Sequence, residues 1–211
     1  SLLVPEMQLL QLPFLWDNDA QMDCVFDTKI NGLIEEMMTE KGLVPLAYVE
    51  VGPYVLFTKD PVKMPADMAG DKFRSGQTQS NVDFFTSHGI NGVPLGISDT
   101  APAIKTGGVV GAEYTPLFGV AIGTHKLAPN ILASYHAHTG GTMSISKKVW
   151  DGMTPEQQAA LKESASSFAE LRAGVRGAHG FMLKKAGEEG ATVTEMTDEM
   201  RAAWSATAGE V

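Results

Sequence analysis

A chain of 211 residues with a formal charge of −9 and 44% hydrophobic residues is long enough for one large domain or two lobes. Its acidic balance and the lack of a basic stripe argue against nucleic acid and anionic membrane surfaces as partners, because both reward clustered Lys and Arg. Cys24 is the only cysteine, which rules out an internal disulfide and a cysteine-cluster metal site.

No apolar run reaches the length of a membrane span. Ser1-Leu2-Leu3-Val4-Pro5 lacks the basic start and cleavage pattern of a signal peptide. It reads as the middle of an apolar segment, so the expectation is that earlier sequence belongs before it. Leu9 to Trp16 is an apolar run interrupted by Pro13, a loop or broken strand rather than a central strand. Met22, Val25, Phe26, Ile30, Leu33, Ile34 and Met37 then follow helical spacing, with Asp19 as N-cap and Gly42 just past the end. Cys24 on this helix reads as a buried, inert thiol. Leu43–Val51 and Tyr54–Thr58 read as strands interrupted by Gly52-Pro53, and Pro65–Gly70 as one helical turn.

Next comes Asp71-Lys72-Phe73-Arg74-Ser75-Gly76, a short strand running into a polar helix start at Gln77. An arginine there offers a planar fork of donors that fits a carboxylate. The competing reading is a surface arginine in an ion pair, and the stretch alone favours that ordinary case. Gln77–Ser87 reads as a helix with Val82, Phe84 and Phe85 inward. Val93–Ile97 reads as a strand, Ser98–Lys105 as a helix and Val109–Tyr114 as a strand. This alternation predicts an α/β fold with a parallel sheet. Pro116–Gly123 reads as helical, and Ile131–Tyr135 and Thr142–Ser146 as strands. Thr154-Pro155-Glu156-Gln157 is an N-cap, a proline at N1 and a capping-box glutamine. It opens a long helix with Leu161, Phe168, Val175 and Met182 on one stripe, and Leu171 and Ala178 beside it. Gly174, Gly177 and Gly180 inside that helix mark a close backbone approach or a bend. Ala191–Glu195 is a late strand, and Asp198–Ala206 a last helix capped by Thr197.

Gly107-Gly108 precedes a strand and is not a phosphate loop, and no Gly-x-Ser-x-Gly elbow exists for a serine hydrolase. His136-x-His138 puts two imidazoles on one strand face. With Glu113 they could be written as a metal site, and hence as a metal-assisted hydrolase, although H-x-H alone is a weak signal. Glu113 and Tyr114 are site candidates because ligands sit beyond strand C-termini in open parallel sheets.

Several runs, taken in order, resemble a known family. They are Leu12-Pro13-Phe14-Leu15, Gly42-Leu43 with Tyr48-Val49-Glu50, and Pro61 through Arg74. Further along come Val93-Pro94-Leu95 with Ser98-Asp99, Lys105-Thr106-Gly107, and Val149-Trp150-Asp151 with Thr154-Pro155-Glu156-Gln157. Their order and spacing resemble the DctP-type solute-binding subunits of tripartite ATP-independent periplasmic (TRAP) transporters, over essentially the whole chain. The resemblance implies a periplasmic, two-lobed α/β binding protein with a long helix spanning both lobes. Such a protein closes on a small organic acid and docks on membrane transporter subunits. It is neither an enzyme nor embedded in the membrane. On that pattern, 1–50 and 139–178 form a partial lobe I, and 51–138 with 179–211 form lobe II.

Arg74 falls on the family arginine that pairs with the ligand carboxylate. Tyr54, Ile97, Tyr114, Gln77 and Thr115 would complete the ligand site. The family's opening strand-helix-strand portion has no counterpart here. Tyr54 stands where many members carry a second arginine, and Tyr114 where many carry an asparagine. Losing the second arginine favours a monocarboxylate or 2-oxo acid over a C4-dicarboxylate. No cofactor is required. The Glu113–Tyr114 pair resembles a subgroup in which the acid holds a cation such as sodium, although a glutamate of that subgroup is replaced near Thr139. A ligand-sensing relative that signals to a receptor is the remaining alternative.

Overall fold

The computed structural model describes residues 4–210. The expectation about Ser1-Leu2-Leu3 lies outside the described residues. The apolar run before Trp16 is neither strand nor simple loop: Pro5–Gln11 forms a 3-10 helix, with Pro5 supplying the fixed φ of a first helical residue. The first long helical segment then runs as α1 (Asp19–Val25), a π-helical turn (Phe26–Ile30) and α2 (Asn31–Glu40). Asn18, not Asp19, is its N-cap, accepting from the Gln21 N–H. The π turn inserts an extra residue into the helical count. Beyond it the buried positions are Ile34 and Met38, and Leu33 is left half exposed. Cys24 is exposed, because the face that carries Met22 and Phe26 turns it outward.

The chain continues through β1 (Leu43–Pro53) and β2 (Val55–Thr58). A 3-10 turn (Pro65–Met68) leads to β3 (Lys72–Ser75), α3 (Gln79–Ser87), β4 (Asn91–Pro94) and α4 (Ile97–Thr106). It then forms β5 (Gly111–Tyr114), α5 (Pro116–Ala121), α6 (Thr124–Leu127) and β6 (Asn130–Ala133). Next come β7 (His138–Ser146), α7 (Lys147–Asp151), α8 (Pro155–Glu170), α9 (Arg172–Glu188), β8 (Thr192–Glu195) and α10 (Asp198–Ser205). The capping box before α8 forms in both directions between Thr154 and Gln157, and Thr197 caps α10.

The main sheet is mixed rather than parallel, in the order β4-β3-β5-β2-β6-β8. β3 runs parallel to β4 and β5, and β6 parallel to β8, but β2 is antiparallel to both β5 and β6. β2 is buried on both faces, so its side chains serve two cores in alternation. Val55 and Phe57 pack with Ile104, Val120, Leu183 and Ala186, while Leu56 packs with Phe73, Phe84, Phe85 and Trp204. A separate two-stranded sheet pairs β1 with β7, and Tyr48 of β1 packs on the third core of Met22, Phe26, Ile34 and Met38.

The long helix breaks at Leu171, between α8 and α9, not at the glycines. Gly174, Gly177 and Gly180 have no neighbour where a Cβ would stand, so they mark no close approach. What α9 buries is His179, Leu183 and Ala186. Val175, Ala178 and Met182 are half buried, Leu171 is exposed, and Phe168 falls outside the described side chains. α9 is tied to its surroundings by charge. Arg176 reaches Asp23 of α1 at 2.8 Å and Glu50 of β1 at 2.7 Å, and Arg172 reaches Asp27 at 2.8 Å. Glu50 is only 6% exposed, so its charge depends on this pairing.

Candidate functional site

Arg74 leaves β3 near the C-terminal ends of β3 and β5 and is 6% exposed. Its Nε donates to the Leu95 carbonyl at 3.1 Å and its Nη1 to the Glu113 carbonyl at 2.8 Å. The guanidinium lies 4.4 Å from the centre of the Tyr114 ring. Among the described residues no carboxylate is within ion-pair distance, and Nη2 has no hydrogen bond. The surface ion-pair reading of Arg74 therefore fails: this is a buried cation held by carbonyls and an aromatic face.

Glu113 is fully buried, one residue before Tyr114. Its Oε1 accepts from the Gly76 N–H, and from Asn81 Nδ2 at 2.6 Å. Its Oε2 lies 3.1 Å from His136 Nε2, and His136 Nδ1 lies 2.8 Å from Ser134 Oγ. A side chain on Gly76 would meet Asn81 Nδ2 at 2.8 Å and Glu113 Oε1 at 3.1 Å, so this turn needs glycine for space. Protein donors thus engage both carboxylate oxygens. Among the described residues no group of three or more His, Cys, Asp or Glu could hold a metal ion. As it stands, this donor set does not fit a cation at Glu113.

The two histidines of His136-x-His138 do not share a strand face. β6 ends at Ala133, Tyr135 adopts a left-handed φ of 45°, and β7 begins only at His138. His136 therefore lies in the irregular segment between the two strands. His136 goes to Glu113, while His138 feels Glu50, Asp19, Asp23 and Arg176. The Glu113/His136/His138 constellation of a hydrolase is therefore not assembled.

Tyr54 joins the cluster by stacking on His136, with ring centroids 6.1 Å apart. Burial pushes its phenol up to about 12, with the Glu113 charge adding to the effect and Thr139 and Arg74 opposing it. Tyr114 is buried, and its hydroxyl donates to Thr100 Oγ1 at 2.9 Å. That aims the hydroxyl away from Arg74 and leaves the ring as a support for the guanidinium. Thr115 is buried with its Oγ1 unpartnered. Gln77 is exposed beyond β3, and Ile97 is 55% exposed at the start of α4. Arg74, Tyr114, Glu113 and Tyr54 are thus brought together, with Gln77, Ile97 and Thr115 on the adjoining segments. Asn81, Ser134 and the Leu95 carbonyl complete the network. Only Asn81 left any signal in sequence, as a polar residue in the first turn of α3.

A family model described as DctP, bacterial extracellular solute-binding protein, family 7, matches residues 1–211. The 2,3-diketo-L-gulonate-binding periplasmic protein YiaO of Escherichia coli (strain K12) is 30% identical over 164 residues, 77% of this chain and 50% of its own length. The chain spans about half the length of several curated relatives it matches. A TRAP periplasmic solute binding protein from Sulfitobacter sp. NAS-14.1, solved with β-D-galacturonate, is similar at a TM-score of 0.91 and 27% identity. The match covers 98% of this chain and 69% of that one. A second, from Xanthobacter autotrophicus Py2 and also with β-D-galacturonate, gives 0.90 and 25%, covering 99% and 70%.

Proposed function

The chain belongs to the DctP family of bacterial extracellular solute-binding proteins, and from that premise we propose that it captures a small organic acid outside the cytoplasm and delivers it to the membrane subunits of a TRAP transporter. The observation that carries this reading is Arg74. A guanidinium taken out of water without a counter-charge is costly unless a partner arrives. The Leu95 and Glu113 carbonyls and the Tyr114 ring fix it, leaving Nη2 for an incoming carboxylate. A charge-assisted hydrogen bond of this kind contributes about 1.5–3 kcal/mol.

Tyr54, Gln77, Ile97, Tyr114 and Thr115 surround the ligand in this reading. The partnerless Thr115 hydroxyl gains a bond from it. The two lobes, 1–50 with 139–178 and 51–138 with 179–211, close over the acid, and no bond chemistry follows. With Tyr54 neutral and no second arginine beside Arg74, one carboxylate is held firmly. That favours a monocarboxylate, and the β-D-galacturonate of two similar structures supports a sugar acid. No cofactor is needed, and nucleic acid is no partner. Calorimetry with D-galacturonate, D-glucuronate, pyruvate and succinate tests the reading. Binding of a monocarboxylate that weakens about 10-fold or more in Arg74→Lys is expected. Binding of none of them, or equal binding by Arg74→Ala, overturns it.

A further inference from the structure

Leu12-Pro13-Phe14-Leu15 makes a tight turn between the first 3-10 helix and α1, closed by the Leu15 N–H on the Leu12 carbonyl at 3.4 Å. Pro13 takes the second place of the turn and Phe14 the third, with a left-handed φ of 53°. That is the pattern of a type II turn, whose third place falls to glycine or asparagine because a side chain there strains the backbone. A phenyl ring persists at such a place only where its surroundings impose it.

The ring packs against the core of Leu56, Phe73, Phe84, Phe85 and Trp204, with its centroid 6.2 Å from that of Phe84. The Arg201 guanidinium lies 5.8 Å from its centre. Phe84 in turn stacks on the His136 imidazole, with centroids 4.9 Å apart and planes 9° apart. The main chain of Phe14 grips the same residue, because its N–H donates to the His136 carbonyl at 2.6 Å. His136 belongs to the irregular segment between β6 and β7, where no strand ladder fixes it. The Phe14 N–H and the Tyr54 N–H, which donates to the Ala137 carbonyl at 2.8 Å, hold that segment instead. Two residues past Phe14, Trp16 packs on Phe26 at 5.8 Å in the third core. The turn thus ties the α1–α2 core to His136.

We propose that Phe14 is a positioning residue for the acid site, acting through His136 and Glu113 on Arg74. The inference rests on the reading of Arg74 as the group that meets the ligand carboxylate. Its links are contiguous. The Phe14 N–H holds the His136 carbonyl, His136 Nε2 lies 3.1 Å from Glu113 Oε2, and the Glu113 carbonyl accepts from Arg74 Nη1 at 2.8 Å. Glu113 is fully buried, so its place is set by these partners and not by water. Without the phenyl ring the Phe84–His136 stack loses its support, Glu113 shifts with His136, and the carbonyl that aims the guanidinium shifts with it. The ring is worth a strained backbone because it fixes that aim.

Two variants separate positioning from stability. Phe14→Ala removes the ring and keeps the left-handed backbone demand, while Phe14→Gly removes the ring and suits the turn. Urea unfolding should therefore place Phe14→Gly above Phe14→Ala. In 15N-labelled chain the Nε–H signal of Arg74, assigned with Arg74→Lys, reports on its bond to the Leu95 carbonyl through its exchange with water. The Arg176 Nε–H, bonded to Glu50 Oε1 at 3.0 Å, is the control. The expected result is Arg74 exchange faster by about 3- to 10-fold in both variants, with Arg176 changed by less than about 2-fold. D-galacturonate binding, read by calorimetry, should weaken by a similar factor. Arg74 exchange that stays at the wild-type rate in both variants, or Arg176 exchange that rises equally, overturns the proposal, since the ring then only fills the core. So does binding that both variants keep unchanged. The exchange measurement needs no ligand. Faster Arg74 exchange in a protein whose wild type binds no acid supports the positioning and counts against the acid reading alone.

Discussion

Replacing Glu113 separates a structural carboxylate from one that holds a cation. Glu113→Ala leaves three donors without an acceptor in a fully buried place: the Gly76 N–H, Asn81 Nδ2 and His136 Nε2. At about 1–3 kcal/mol for each unsatisfied buried donor, the three sum to about 3–9 kcal/mol, and water entering the space would bring the loss toward the lower end, about 3 kcal/mol. That is a large fraction of the roughly 5–15 kcal/mol that holds a domain together. Glu113→Gln has nearly the same shape. Its amide oxygen still accepts from Gly76 and Asn81, and its NH₂ turns to His136 Nε2. His136 then takes the other tautomer and donates from Nδ1 to Ser134 Oγ, which can donate to the Tyr54 carbonyl at 3.5 Å. The expected cost of Gln is therefore about 1 kcal/mol. Urea unfolding of wild type and both variants, monitored by tryptophan fluorescence, gives the comparison. A metal ligand would behave differently, because a neutral amide would then be nearly as damaging as alanine. Equal losses for Gln and Ala, or an Ala variant within about 0.5 kcal/mol of wild type, would refute the hydrogen-bond argument.

Three further outcomes follow from the same geometry. Gly52→Ala forces a Cβ to 1.9 Å from His179 Nε2 at a φ of 115°, and should cost at least about 2 kcal/mol in urea unfolding. Adding His179→Ala should return only part of this, since the backbone strain stays. Arg176→Met strands the buried Glu50, and should lower stability by about 3 kcal/mol in the same assay. For Tyr54 the folded pKa is raised, so its contribution is complete below the ordinary phenol value near 10 and is lost as pH rises through about 12. Absorbance at 295 nm should therefore find Tyr54 un-ionised at pH about 11, and Tyr54→Phe should remove a step above that pH. A Tyr54→Phe difference that titrates near pH 10 in the folded chain would contradict the burial.

Sequence carried the elements whose causes are local. The Thr154–Gln157 capping box and the Thr197 cap both depend on neighbours three residues apart. What it did not carry depends on partners far along the chain. The direction of β2 is set by pairing with β5 and β6, so a strand-helix alternation suggested a parallel sheet where a mixed one forms. The π turn at Phe26–Ile30 leaves no periodic trace until the buried positions shift to Ile34 and Met38. His136 and His138 look like a pair at spacing two, but His136 lies in the irregular segment before β7 and reaches Glu113 of β5, while His138 opens β7 opposite Pro53.

The site divides along the same line. A motif pointed to Arg74, but nothing in the letters could say what holds it, because two of its partners are backbone carbonyls 21 and 39 residues away. Those carbonyls decide its role. An arginine paired with a carboxylate would have its charge spent before any ligand came. One fixed by carbonyls and the Tyr114 face keeps its charge and loses its freedom, and so is organised for an anion in advance. Glu113 serves the same end by lending Arg74 its carbonyl while its carboxylate is engaged by Gly76, Asn81 and His136. Tyr54 is a phenol that burial keeps un-ionised, so it adds no charge of either sign. Under the proposed function, recognition of one acid group rests on one guanidinium, and Arg74→Lys tests it most directly, because lysine keeps the charge and loses the fork that the two carbonyls orient.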